Sequence, residues 1–178
     1  MNMKKLVLAV AMVSALGMGA AHAADKGHGK ITFTGTIIDA TCSIDAKSLD
    51  QTKDLGAISM KQLDGGGKSS PIDFDIKLHD CSTATLKNAT VSFNGVAGDS
   101  TAGLDGALAV TGQGSGVGVV ITDMGGNVIK PNVASPEMVL NDGDNDLLFQ
   151  AYVQGSSVAN AVVPGTFSSV ANFMMDYK

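Results

Sequence analysis

The chain has 178 residues, a formal charge of −5, and 44% hydrophobic against 16% charged residues. That length accommodates one domain with a substantial core. All its basic residues are lysines and only 4% of its residues are aromatic, so an acidic chain without arginine is a poor nucleic-acid binder.

In chain order, Lys4 and Lys5 precede the apolar run LVLAVAMVSALGMGAA, and Ala21-His22-Ala23 ends it with a small-x-small cleavage pattern. This predicts a secretory signal peptide over residues 1–23. The run is short for a membrane span and no basic stop-transfer cluster follows it, which disfavours an anchor; no other hydrophobic run is long enough to cross a bilayer, so no membrane insertion of the mature chain is expected. Next comes GHGKITFTG, residues 27–35. Gly27, Gly29, Ile31 and Phe33 share one parity, and His28, Lys30, Thr32 and Thr34 the other, which is the alternation of a β-strand. In IIDATCSI the apolar set Ile38, Ala40, Cys42 and Ile44 has the opposite parity. A straight strand cannot bury both sets on one face. Either a bulge sits near Gly35–Ile37 or the two stretches serve different sheets; on the second reading residues 24–35 are a separate, detachable strand ahead of a domain over 36–178.

Within that domain a short helical turn is predicted around Ala46–Gln51. PIDFDIKLHDC follows, with Ile72, Phe74, Ile76 and Leu78 on one face and Asp73, Asp75, Lys77 and His79 on the solvated one. ATVSFNG puts Val91 and Phe93 together. ALAVTG and the nearly continuous GVGVVITD come next, then DLLFQAYVQG with Leu147, Phe149, Ala151 and Val153 aligned. The ending TFSSVANFMMDYK aligns Phe167, Ala171, Phe173, Met175 and Tyr177. GDSTAGLDG, DMGGN, NDGDN and VPG supply turns between them. The two cysteines, Cys42 and Cys81, sit in an exported chain without a C-x-x-C pair or a neighbouring His/Asp cluster. A disulfide is the default, and a metal pair or redox thiol the weaker alternative. Closing a loop of about 40 residues contributes roughly 4 kcal/mol in the chain-entropy account. Six to eight short strands with such a bridge predict an all-β, immunoglobulin-type sandwich.

Candidate chemistry is sparse. GQGSGVG lacks the Lys-Ser/Thr of a phosphate loop and runs into a strand. Asp142, Asp144 and Asp146 have the spacing of a calcium loop, but Leu147 and Val153 stand where that loop needs Gly and Glu. Nothing suggests a nucleophile–base pair, a zinc site or a cofactor, so the chain reads as a non-enzyme.

GKITFTGTIIDATCSI, the Cys in LHDC, NDGDNDLLFQAYV and GTFSSVANFMMDYK together resemble the major rod subunits of chaperone–usher pili, P-type rods more closely than type 1. The sharpest likeness is at the end, with Tyr177 penultimate and Gly165 fourteenth from the terminus. The resemblance implies an incomplete immunoglobulin-like sandwich lacking its final strand. It implies a groove filled first by a periplasmic chaperone and then by the N-terminal extension of the next subunit, delivered to an outer-membrane usher. On that reading Gly27, Gly29, Ile31 and Phe33 form the donor strand. Gly165, Phe167, Phe173, Met175 and Tyr177 form the groove and chaperone-binding surface. The implied product is an adhesive fimbria on the bacterial surface, a homopolymer joined to other fimbrial subunits. The alternative is a minor or tip subunit, or a carbohydrate-binding module; the absence of Trp and the two Tyr disfavour stacking on sugar.

Overall fold

A computed structural model describes residues 29–37 and 40–178. The signal-peptide prediction for 1–23 and Gly27 of the predicted donor strand lie outside the described residues. The chain divides into two units, the first ending at Ile37.

In the first unit, residues 29–37 take part in no hydrogen-bonded strand, although their alternation predicts one. A strand needs a neighbouring ladder to satisfy its backbone groups. Ile31, Phe33 and Ile37 are 78%, 89% and 101% exposed.

The second unit is built from β1 (Ser43–Ile44), β2 (Ile72–Cys81), β3 (Asn88–Asn94), β4 (Leu108–Ala109), β5 (Thr111–Gly112), β6 (Val117–Asp123), β7 (Val128–Ile129), β8 (Met138–Val139), β9 (Gly143–Gly155), β10 (Phe167–Ser168) and β11 (Asn172–Tyr177). Two single-turn helices interrupt them, α1 (Ala46–Leu49) and α2 (Met60–Leu63). The larger sheet runs β1-β2-β9-β6-β4, with β7 also on β6; the smaller runs β11-β3-β8; β5 and β10 form a separate pair. Every pairing is antiparallel.

The two sheets pack face to face through the alternating residues. Ile76 and Leu78 of β2, Leu147 and Phe149 of β9, and Val119 and Ile121 of β6 meet Ala89, Val91 and Phe93 of β3 in one buried cluster. Phe93 stands edge-on to Phe149 at 5.2 Å between ring centres, and Phe74 stacks on Phe149 at 5.5 Å. The continuous apolar run of β6 has its own cause. Val120 points away from the smaller sheet, where Leu104, Ala107 and Tyr152 cover it.

Three differences from the sequence expectations have local causes. ALAVTG is broken, because Leu108–Ala109 pairs with β6 while Thr111–Gly112 pairs with β10. TFSSVANFMMDYK is two strands in two sheets; Ser169 between them donates its hydroxyl to the Ala109 carbonyl at 2.8 Å. Gly143, Asp144 and Asn145 lie in β9 rather than in a turn, because the β2–β9 ladder continues past a bulge between Leu78 and Cys81, with Asp80 at φ 52°.

Candidate functional site

β11 is the outer strand of the smaller sheet and β1 the outer strand of the larger one. Between these two edges lies an open groove of about 1020 Å³. One wall is β11 with Ala171 before it. The other is Ala40, Thr41, Ile44 of β1 and Leu49 of α1, and Ser82, Thr85 and Leu86 also line it.

Alternation decides which side chains enter it. Along β11, Phe173, Met175 and Tyr177 are half-buried, while Asn172, Met174 and Asp176 are exposed. The first three pack against the main core, opposite Phe93, Val91 and Ala89 of β3. The backbone follows the same parity. Lys178 N donates to Asn88 O at 2.8 Å and Asn88 N returns a bond to Lys178 O at 2.9 Å, which makes 178/88 a hydrogen-bonded pair. In an antiparallel ladder such pairs alternate with non-bonded ones. Phe173, Met175 and Tyr177 therefore turn their N–H and C=O groups away from β3, toward the groove. The same alternation appears on the far side of β3, where Ser135 N and Asn132 N donate to the Val91 and Phe93 carbonyls. On the opposite wall Asp45 N donates to Lys77 O at 2.9 Å, which leaves Ile44 as the residue whose backbone groups face the groove. Among the described residues the groove thus offers an apolar floor and two edges whose backbone groups turn toward it.

That second wall is short and is held from behind. The predicted disulfide joins Cys42 to Cys81 across 39 residues of sequence. Buried Ser48 of α1 accepts from Lys77 N at 3.0 Å, and Gln51 donates to the Asp75 carbonyl at 2.7 Å. Asp45 caps α1 by accepting from Lys47 N at 2.7 Å, and its second oxygen meets His79 Nε2 at 3.0 Å. His79 Nδ1 lies 3.0 Å from Asp144 of β9. A neutral imidazole has one N–H and could serve one carboxylate; two carboxylates call for the imidazolium. The hydrogen bonds that His79 donates to Asp144 and then to Asp45 hold its pKa above its ordinary value. The Lys47 backbone bond and His79 hold Asp45 below the usual carboxylate range.

Other sequence candidates fall elsewhere. Gly165 and Phe167 are not among the residues lining the groove. Gly165 sits at φ +155°, where a Cβ would lie 2.5 Å from Gly114 N. Phe167 pairs with Gly112 and packs against two core clusters. Asp142 accepts from the Thr83 amide and hydroxyl, both at 2.7 Å, and Asp146 pairs with Lys77 at 3.5 Å. With Asp144 on His79, each carboxylate of the calcium-like spacing thus has its own protein partner. Among the described residues, Tyr177 Oη is a buried polar side-chain atom without a hydrogen-bond partner, and burial pushes its pKa up. The sequence reading places Ile44 in an apolar alternation but not in the groove, and Leu49, Leu86 and Ile37 escaped that reading. Ile37 shares the odd parity of Ile31 and Phe33, and that parity was the available signal.

A family model described as fimbrial protein matches residues 31–178. The chain belongs to the fimbrial protein family. It is 48% identical to the Fimbria A protein of Serratia marcescens over the full length of both. Among solved structures, the rod subunit of the P pilus is 33% identical with a TM-score of 0.68, covering 78% of this chain and 100% of that one. A chain from a chaperone–usher pilus, whose structure addresses rod uncoiling, is 37% identical with a TM-score of 0.75 over 86% of this chain and 97% of that one. This fimbrial protein is a structural subunit, not an enzyme, and its fold is the open immunoglobulin-like sandwich of its relatives.

Proposed function

We propose that this fimbrial subunit polymerises by strand insertion, the segment around residues 27–37 of one copy filling the groove of the next. The observation that carries the reading is the coincidence at Phe173, Met175 and Tyr177 of groove-facing side chains and groove-facing backbone groups. A strand laid there gains ladder bonds on both edges and pockets for alternate side chains. Ile31 and Phe33 are the anchors, and Ile37 joins them by parity and exposure. Full burial of each contributes roughly 1.5–3 kcal/mol. Gly27 and Gly29 suit the places where the strand must approach closely. Gly165 and Phe167 support the groove by fixing the segment that leads into β11.

Before assembly the groove is an unpaired edge over apolar surface, an aggregation hazard that needs a cover. A periplasmic chaperone supplies the cover and an outer-membrane usher receives the complex. Removal of residues 1–23 on export frees the N-terminal segment. The fibre then stands on the cell surface and supports adhesion.

Phe33→Asp tests the reading. It should abolish fibres by electron microscopy while the subunit is still recovered in complex with its chaperone. Normal fibres from this variant would refute strand insertion.

A further inference from the structure

We propose that Lys30 of one copy pairs with Asp176 of the next, and that this ion pair sets the direction and register of the inserted strand. The proposal rests on strand insertion as described above. Directly opposed residues of paired strands share a face. With the odd residues of both strands turned to the core, the even residues face water: Lys30, Thr32, Thr34 and Thr36 on the segment, and Asn172, Met174 and Asp176 on β11. Lys30 and Asp176 are the charged members of these two rows, they are of opposite sign, and both are exposed.

Placing Lys30 opposite Asp176 in an antiparallel pair puts Ile31 opposite Met175 and Phe33 opposite Phe173. Gly29 then faces Tyr177, so the ring at the end of the groove meets a residue with no side chain. Gly35 faces Ala171. The same ion pair in a parallel arrangement carries Phe33 past the chain end at Lys178 and off the strand. The charges and the anchors are therefore compatible in the antiparallel direction alone. Register slips of two residues, which keep the faces, are also disfavoured. One sets Lys30 against Lys178, a like-charge pair, and the other sets it against Met174. Lys178 itself pairs with Glu137 at 3.5 Å.

An exposed cross-strand ion pair is worth about a two- to fivefold change in affinity, and a direct like-charge pair costs more. Wild-type fibres treated with a zero-length carbodiimide cross-linker, digested and analysed by mass spectrometry should yield an amide joining Lys30 of one copy to Asp176 of another. Lys30 recovered only unmodified, or coupled only to other carboxylates, overturns the pairing. Independently, Lys30→Asp and Asp176→Lys should each speed fibre dissociation in urea by about fivefold or more. The double reversal should return to within about twofold of wild type. Additive effects in the double variant overturn the proposal. Lys30→Met with Asp176→Asn provides a second cycle if a reversal does not fold. Phe33→Asp run alongside separates the two levels. Normal assembly of that variant defeats strand insertion itself, whereas its failure together with additive charge reversals defeats only the ion pair.

Discussion

At the scale of single residues, His79 shows how a solvated strand face can carry a structural duty. Its alternation with Asp73, Asp75 and Lys77 predicts an ordinary outward side chain, and it is 40% exposed. Yet it ties Asp45, behind the groove wall, to Asp144 on the neighbouring strand β9. Its folded pKa is raised above 6.5. The stabilisation is therefore complete below pH 6.5 and is lost as pH rises through the folded value. Asp45 is lowered from 3.8, so its share appears above that pH and is lost as pH falls through its folded value. The clasp is strongest between these limits. Thermal melts from pH 5 to about 9 should show wild type losing stability through the upper limit, and His79→Gln showing a flatter profile. Identical slopes for the two proteins would mean that His79 is not charged in the fold.

At the scale of elements, legibility followed strand length. β2 and most of β9 were readable because apolar residues alternate from Ile72 to Leu78 and from Leu147 to Val153, a signal that turn residues cannot imitate. The end of β11 was readable for the same reason, and with it the half of the groove that carries Phe173, Met175 and Tyr177. The other half was not. Leu49 and Leu86 come from a single helical turn and a loop, where no periodicity can accumulate, and Ile44 closes an alternation of which only Ser43–Ile44 pairs as a strand. Two-residue strands such as β5 and β10 exist because a neighbour accepts them, not because their sequence demands them. Glycine marks one such place. Gly165 holds a backbone angle that side-chain-bearing residues rarely adopt, and a Cβ would meet Gln113 and Gly114 of the strand-pair partner segment. Gly165→Ala should lower the urea midpoint by an amount equivalent to about 1–3 kcal/mol. Gly35→Ala, with nothing within 4 Å, should leave the midpoint of the monomer unchanged. Equal effects of the two would show that the 113–114 contact is not formed.

At the scale of the whole molecule, a sandwich with one open seam has a stability that belongs partly to whatever fills the seam. The smaller sheet has β11 on one edge and β8, two residues long, on the other, so among the described residues β3 is the strand that gives β11 its ladder. Ligand that binds only the folded state stabilises it by RT ln(1 + [L]/Kd), about 2.7 kcal/mol at a hundredfold excess over Kd. For a domain of this size that corresponds to roughly 5–10 °C in Tm. A peptide of residues 27–37 added to the isolated subunit should therefore raise Tm in proportion to the logarithm of its concentration, and the same peptide with Phe33→Asp should have no effect. A saturating shift independent of sequence would point to non-specific cover of apolar surface. No shift would mean that the seam is already stable on its own, because a groove that gains nothing from a complementary strand has no free energy with which to drive one subunit onto the next.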